Sequence, residues 1–162
     1  MRVTFLGTGT SVGVPRIACD CPVCSSPDPR NQRLRCALLL EVPGGNILVD
    51  TPPDLRTQVL RQGLRTLDAV LFTHAHADHL HGLDDVRCYG FDREAPLPCF
   101  ADERTVARIR HVFDYAFAGG HPSSVPRLEL RPIEGPFRLL GLEVVPVPVL
   151  HGRLPVLAFR VG

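Results

Sequence analysis

Short apolar runs alternate with polar, Gly- and Pro-rich breaks along the whole chain. The run "RVTFL" (2–6) reads as a strand and leads into a Gly-rich loop, "GTGTSVGVP". "CALLLEV" (36–42) and "NILVD" (46–50) read as strands joined by "PGG", a hairpin turn signal. The spacing over 54–62 predicts a helix closed by Gly63. "DAVLF" (68–72) reads as a buried strand that runs directly into "THAHADHLHG" (73–82), with a helix starting near Asp78 or His79 and fading by Gly90. "LPCFA" (97–101) is a further strand, and 102–117 reads as one helix with Asp102 as its N-cap. After the loop "AGGHPSSVP" come four strand-like runs, "RLELRPI", "FRLLG", "LEVVPVPVL" and "LPVLAFRVG". Helices interleaved with strands, then a strand-rich end, define an α/β pattern.

Composition narrows this picture. A chain of 162 residues, 44% hydrophobic, suggests a single domain, 1–162, with a real core. No apolar run approaches 18 residues, so no membrane span is expected. "MRVTFLGTGT" reads as a first strand and not as a secretion signal, which points to the cytoplasm. The net charge of +1 gives no nucleic-acid or membrane-seeking footprint. All 18 basic residues are Arg, which excludes a Schiff-base lysine.

Four of the 7 His fall in the window 73–82: His74, His76, His79 and His81. With Asp78 they form His-x-His-x-Asp-His. Spacing by two is not one helical face, so the side chains converge only if they leave the strand in a loop. Imidazole and carboxylate donors suit zinc, manganese or iron, and the small Ala75 and Ala77 leave room for an ion. Adjacent Asp78 and His79 cannot easily reach the same ion as His74 and His76, which favours two ions sharing a bridging water or hydroxide. Such ions lower the pKa of bound water from about 15.7 to about 7. The competing reading is a set of scattered surface histidines. His81 lies outside the pattern, and Asp84 and Asp85 read as helix-surface charges or a cap.

Cys19, Cys21 and Cys24 have C-x-C-x-x-C spacing in a loop rich in Pro and Asp. Three thiolates make most of a structural zinc site; the alternative is three unrelated reduced thiols. Cys36, Cys88 and Cys99 lie in or near apolar segments and read as small core residues.

The window "THAHADHLHGLDD" resembles the signature of the metallo-β-lactamase fold superfamily. "FLGTGTSVGVP", "CDCPVC", "DPRNQRLR" and "ILVDTPPDLR" resemble its branch containing the phosphoribosyl cyclic phosphodiesterase of the carbon–phosphorus lyase pathway. The resemblance implies an αββα sandwich, two mixed sheets with outer helices. It implies that His74, His76 and His151 hold a first metal, and that Asp78 and His79 begin a second site. Asp50 matches an acid that steadies the metal cluster, and Asp50, Asp78 and His79 carry the implied catalytic roles. Without the resemblance, His151 reads equally as an exposed loop histidine and Asp50 as a turn or cap residue.

The expected cofactors are two divalent ions, zinc or manganese, and one structural zinc at Cys19, Cys21 and Cys24. The expected activity is hydrolysis of a small cyclic or nucleotide-like phosphodiester, without a nucleic-acid or membrane partner; a homodimer is compatible with it. The alternatives are a tRNA 3′-end endonuclease-like enzyme, an accessory protein of quinone-cofactor biosynthesis, and a metal-binding module without turnover. The superfamily pattern also needs a bridging Asp after His151 and a more C-terminal His, yet residues 152–162 hold no Asp, Glu or His. In the resembled branch a C-terminal His completes the Cys site, and no residue here matches it. The expectation is therefore that 1–162 is the N-terminal part of the catalytic unit, with its C-terminal half lacking.

Overall fold

The structure, a computed structural model, describes residues 1–91, 93–119 and 125–162. Six strands form one sheet in chain order: β1 (Arg2–Gly7), β2 (Ala37–Val42), β3 (Gly45–Val49), β4 (Ala69–Leu71), β5 (Leu97–Ala101) and β6 (Leu128–Pro132). The pairs β1–β2 and β2–β3 are antiparallel, and β3 to β6 run parallel. A second, antiparallel sheet holds β7 (Phe137–Leu139), β8 (Leu142–His151) and β9 (Leu154–Val161).

The unbroken apolar runs of β3 and β4 follow from burial on both faces. Leu48 and Val70 face a core shared with Leu55, Leu80 and Ile109 of the helical layer. Ile47, Ala69, Leu71 and Phe100 face a second core with Leu139 and Val144 of the small sheet. Phe100 stacks on Phe137 across the two sheets, with centroids 4.7 Å apart. The layers are thus helices, large sheet, small sheet; among the described residues no helix covers the outer face of the small sheet, where Val147 and Val149 are exposed. An apolar groove of about 460 Å³, lined by Val3, Leu38, Phe159 and Val161 and reaching Thr73, lies beside β1 and β9, each at the edge of its sheet.

Helix α1 (Leu55–Gln62) ends at Gly63 in the left-handed conformation, as the pattern predicts. Two other helices are shorter than expected. The segment after His76 gives one turn, α2 (Ala77–Leu80), then a 3-10 stretch, Leu83–Gly90. The break has a physical cause: the His79 carbonyl accepts from Thr51 N at 2.8 Å, and Gly82 N donates to Thr51 O at 2.8 Å. A Cβ at Gly82 would lie 2.0 Å from Pro52 O, so only glycine permits this approach. The expected helix 102–117 is α3 (Glu103–Val112) and a separate 3-10 turn, Asp114–Phe117. Phe113 leaves the helical conformation to enter the core, and Asp114 Oδ1 accepts from Tyr115 N, competing with helix continuation. Of the three remaining cysteines only Cys99 is buried; Cys36 and Cys88 are exposed, because one precedes β2 and the other sits on the outer side of the 3-10 stretch. The loop expected over 118–126 falls largely outside the described residues.

Candidate metal centre

Strands β3 and β4 deliver the site from their C-terminal ends. Asp50 follows β3, and Thr73 to His79 follow β4. Asp50 is buried and holds φ +65, a left-handed backbone that Asp tolerates better than most residues. Its carboxylate accepts three hydrogen bonds: Thr73 N at 2.8 Å on Oδ1, and Thr73 Oγ1 and His79 Nδ1, each at 2.7 Å, on Oδ2.

These bonds decide the histidine tautomers. The Thr73 hydroxyl has one proton and gives it to Asp50, so towards His74 Nδ1, 2.9 Å away, it accepts. His74 therefore carries its proton on Nδ1, and its Nε2 lone pair is free. That Nε2 is buried with no hydrogen-bond partner. A buried acceptor left empty is costly unless something binds it. Burial, then the positive charge of His79, pushes the His74 pKa down to about 4, so the ring is neutral and ready to ligate at neutral pH. His79 donates Nδ1–H to Asp50, which leaves Nε2 towards Asp78 Oδ2 at 3.2 Å. Burial opposes the charged form of His79, but the Asp50 hydrogen bond and the charges of Asp50 and Asp78 prevail and raise its pKa.

His151 reaches this loop at the end of β8, next to the two-residue turn Gly152–Arg153 that joins β8 to β9. Leu157 N of β9 donates to Thr73 O at 2.9 Å and anchors the hairpin to the histidine loop. The ring centroid of His151 lies 5.6 Å from His74 and 5.4 Å from His76. One ligand atom from each of His74, His76 and His151 falls within 4.8 Å of the others, a set that could hold a metal ion. Asp78 and His79 are paired, but among the described residues no third donor joins them at that distance. Thr73, to which the sequence pattern gave no role, is the relay between Asp50 and His74. His81 is exposed and apart, its ring edge-on to Phe113 at 6.4 Å. Asp84 accepts from the Tyr115 hydroxyl and pairs with Arg87, and so is not directed at the histidines.

The Sγ atoms of Cys19, Cys21 and Cys24 likewise lie within 4.8 Å of one another. The Cys24 backbone N–H, and then the Cys19 side chain, lower the Cys21 thiol to about 7, so a thiolate is accessible at neutral pH. Arg16 N donates to Cys24 Sγ at 3.4 Å.

A two-sheet α/β fold with His-x-His-x-Asp-His at the end of β4 and a third imidazole from the second sheet defines the metallo-β-lactamase class of proteins. The family model of the beta-lactamase superfamily domain matches residues 45–162, and the chain belongs to that family. A solved structure described as a new diphosphatase from the PhnP family is 43% identical with a TM-score of 0.90, over 99% of this chain and 61% of that one. A Porphyromonas gingivalis (strain ATCC BAA-308 / W83) protein named octanoyltransferase is 41% identical over 165 residues, all of this chain but 33% of that protein. Coenzyme PQQ synthesis protein B of Methylobacterium radiotolerans is 34% identical over 101 residues, 54% of this chain and 34% of that protein. The chain thus spans about a third of the length of these curated relatives. No described helix is long and apolar enough to cross a membrane.

Proposed function

We propose that the chain carries the metal-binding core of a hydrolase that cleaves a phosphodiester or diphosphate bond in a small cyclic or nucleotide-like substrate. One observation carries this reading: His74 presents a neutral, buried, unpartnered Nε2 beside His76 and His151, with its tautomer set by Thr73 and Asp50. The likeness to a PhnP-family diphosphatase supports the substrate class. His74, His76 and His151 would hold one divalent ion, and Asp78 and His79 would contribute to a second. The donor set fits zinc or manganese, and the thiolates of Cys19, Cys21 and Cys24 fit a separate zinc. Divalent ions bound there supply Lewis-acid activation of water and neutralise charge developing at phosphorus. The chain's own part is orientation: Asp50 holds His79 directly and His74 through Thr73, while the hairpin brings His151.

The test is metal content by mass spectrometry, together with hydrolysis of bis(p-nitrophenyl) phosphate. Metal that disappears with His76→Ala, and turnover that follows the metal, support the reading. A protein that binds no divalent ion under saturating zinc or manganese refutes it. The sparse donor set at Asp78 and His79 favours a second reading, a module that holds metal without turnover; full occupancy with no hydrolysis of any diester would select it.

A further inference from the structure

Cys21 and Cys24 sit on a single turn of backbone: Ser25 N donates to Cys21 O at 3.0 Å, and Ser26 N to Val23 O at 3.3 Å. Residues three apart on a turn have Cα atoms within about 7 Å, the limit of what a disulfide spans. Their sulfurs already lie within 4.8 Å of each other and of Cys19 Sγ, so side-chain rotation is the movement that a bond between them needs. Cys21 is exposed, whereas Cys19 and Cys24 are half-buried. An oxidant arriving from solvent therefore meets the Cys21 sulfur first, with two further thiols behind it.

The segment that these sulfurs gather has little else to hold it. Of residues 8–28, Gly13 alone is buried. The base of the loop is fixed: Gly9 N donates to Leu34 O at 2.7 Å, Val14 N to Arg33 O at 2.9 Å, and Arg35 Nε to Ser11 O at 2.9 Å. Farther out, Arg16 N donates to Cys24 Sγ at 3.4 Å, and Ile17 is 89% exposed. A span without a core offsets its conformational entropy mainly through cross-links, and here the cross-link is the sulfur cluster.

We propose that Cys21 and Cys24 are an oxidative modification site, at which peroxide forms a disulfide that withdraws two of the three thiolates from the ion site and loosens residues 15–26. The ion's part rests on the zinc reading above; the disulfide's does not. The Cys21 thiolate attacks the peroxide: an S–O bond forms, the O–O bond breaks, and hydroxide leaves with the electron pair, giving a sulfenic acid. The Cys24 thiolate then attacks the Cys21 sulfur: the S–S bond forms, the S–O bond breaks, and a second hydroxide leaves. One peroxide gains two electrons, and the two thiolates lose them. Cys19 is then the last sulfur donor of the cluster, too few to keep zinc. A dithiol reductant cleaves the bond and restores all three donors.

The test treats the full chain, loaded with zinc, with stoichiometric hydrogen peroxide at neutral pH. Peptide mass mapping reads the disulfide, a chromogenic chelator reads released zinc, and trypsin reads the loop through cleavage after Arg16. The expected result is a Cys21–Cys24 bond, release of one equivalent of zinc and several-fold faster cleavage, all reversed by dithiothreitol. Cys19→Ser should still form the bond, whereas Cys19→Ser with Cys24→Ser should leave Cys21 to advance to sulfinic acid. A disulfide with no zinc to release upholds the modification site and overturns the zinc reading. Bound zinc with thiols that resist excess peroxide, or that reach sulfinic acid without a disulfide, overturns the modification site and spares the zinc reading. A bond from Cys21 to Cys19 overturns the pairing, and a disulfide that leaves cleavage after Arg16 unchanged overturns the loosening.

Discussion

Asp50→Asn is the most informative single change, because it removes a charge while preserving shape and tolerance of the left-handed backbone at φ +65. Asp50→Ala would add backbone strain and confuse the result. The native carboxylate accepts three hydrogen bonds, two of them on Oδ2, from Thr73 Oγ1 and His79 Nδ1. Asparagine has a single acceptor oxygen, so an NH₂ must face either Thr73 N or this pair. If it faces the pair, the Thr73 hydroxyl turns to accept from it and donates to His74 Nδ1. His74 then moves its proton to Nε2, the atom that should ligate. His79 must likewise give up its Nδ1 proton or leave a clash of donors. If it faces Thr73 N, a buried amide loses its acceptor. Hydrogen bonds to a charged group are worth about 1.5–3 kcal/mol each, and rearrangement recovers part of that. The expected net cost is about 2–3 kcal/mol of stability and a 10–100-fold loss of metal affinity, or about 1.4–2.7 kcal/mol. Competition with a chromogenic chelator measures the affinity, and long-range ¹⁵N correlation spectra of the imidazoles read the tautomers. Affinity within threefold of the parent, with Nδ1–H retained on both rings, would refute the relay.

Thr73→Val should cost about tenfold in metal affinity while Thr73→Ser retains it, since only the hydroxyl links Asp50 to His74; equal loss in both variants, by the same chelator assay, would point to packing instead. In the metal-free protein the His74 ring should titrate near pH 4, so its contribution to stability is present above the ordinary value of 6.5 and is lost as pH falls from 6.5 towards 4; an NMR midpoint at or above 6 would contradict the burial argument. Gly82→Ala forces a Cβ to within 2.0 Å of Pro52 O and should cost more than about 2 kcal/mol in urea unfolding, with no change in slope. Cys21→Ser should lower the zinc content by one equivalent that His74→Ala leaves in place; zinc lost equally in both would mean one site and not two.

The α/β class, the order of the elements and the histidine loop were legible because each rests on local pattern: continuous apolar runs for doubly buried strands, and ligand residues packed into ten positions. His151 was legible only through family resemblance. Its approach depends on the long-range Leu157–Thr73 hydrogen bond, which has no local signature. Asp50 was ambiguous for a related reason, since a buried carboxylate and a turn residue look alike until their partners are known. Thr73 lies inside the histidine motif without a signature of its own, because a hydroxyl has meaning there only between Asp50 and His74. The helices were overextended where tertiary contacts overrode periodicity, at Thr51–Gly82 and at Phe113. Cys36 and Cys88 read as core because apolar neighbours flank them, and the direction in which each side chain leaves the backbone is not written in composition.

His74 and His76 belong to a loop braced by the large sheet, whereas His151 belongs to the small one. An ion shared by all three would therefore be a rivet between the two halves of the sandwich. Its capture would close a long span of chain, and such a closure lowers the entropy of any state in which the sheets separate. The rivet would make the gap between the sheets a property of the ion's hold and not only of apolar packing. Fraying of the exposed hairpin tip, otherwise a local event, would then require the ion to let go of His151, so the dynamics of that tip and the lifetime of the ion at the centre would share a common clock.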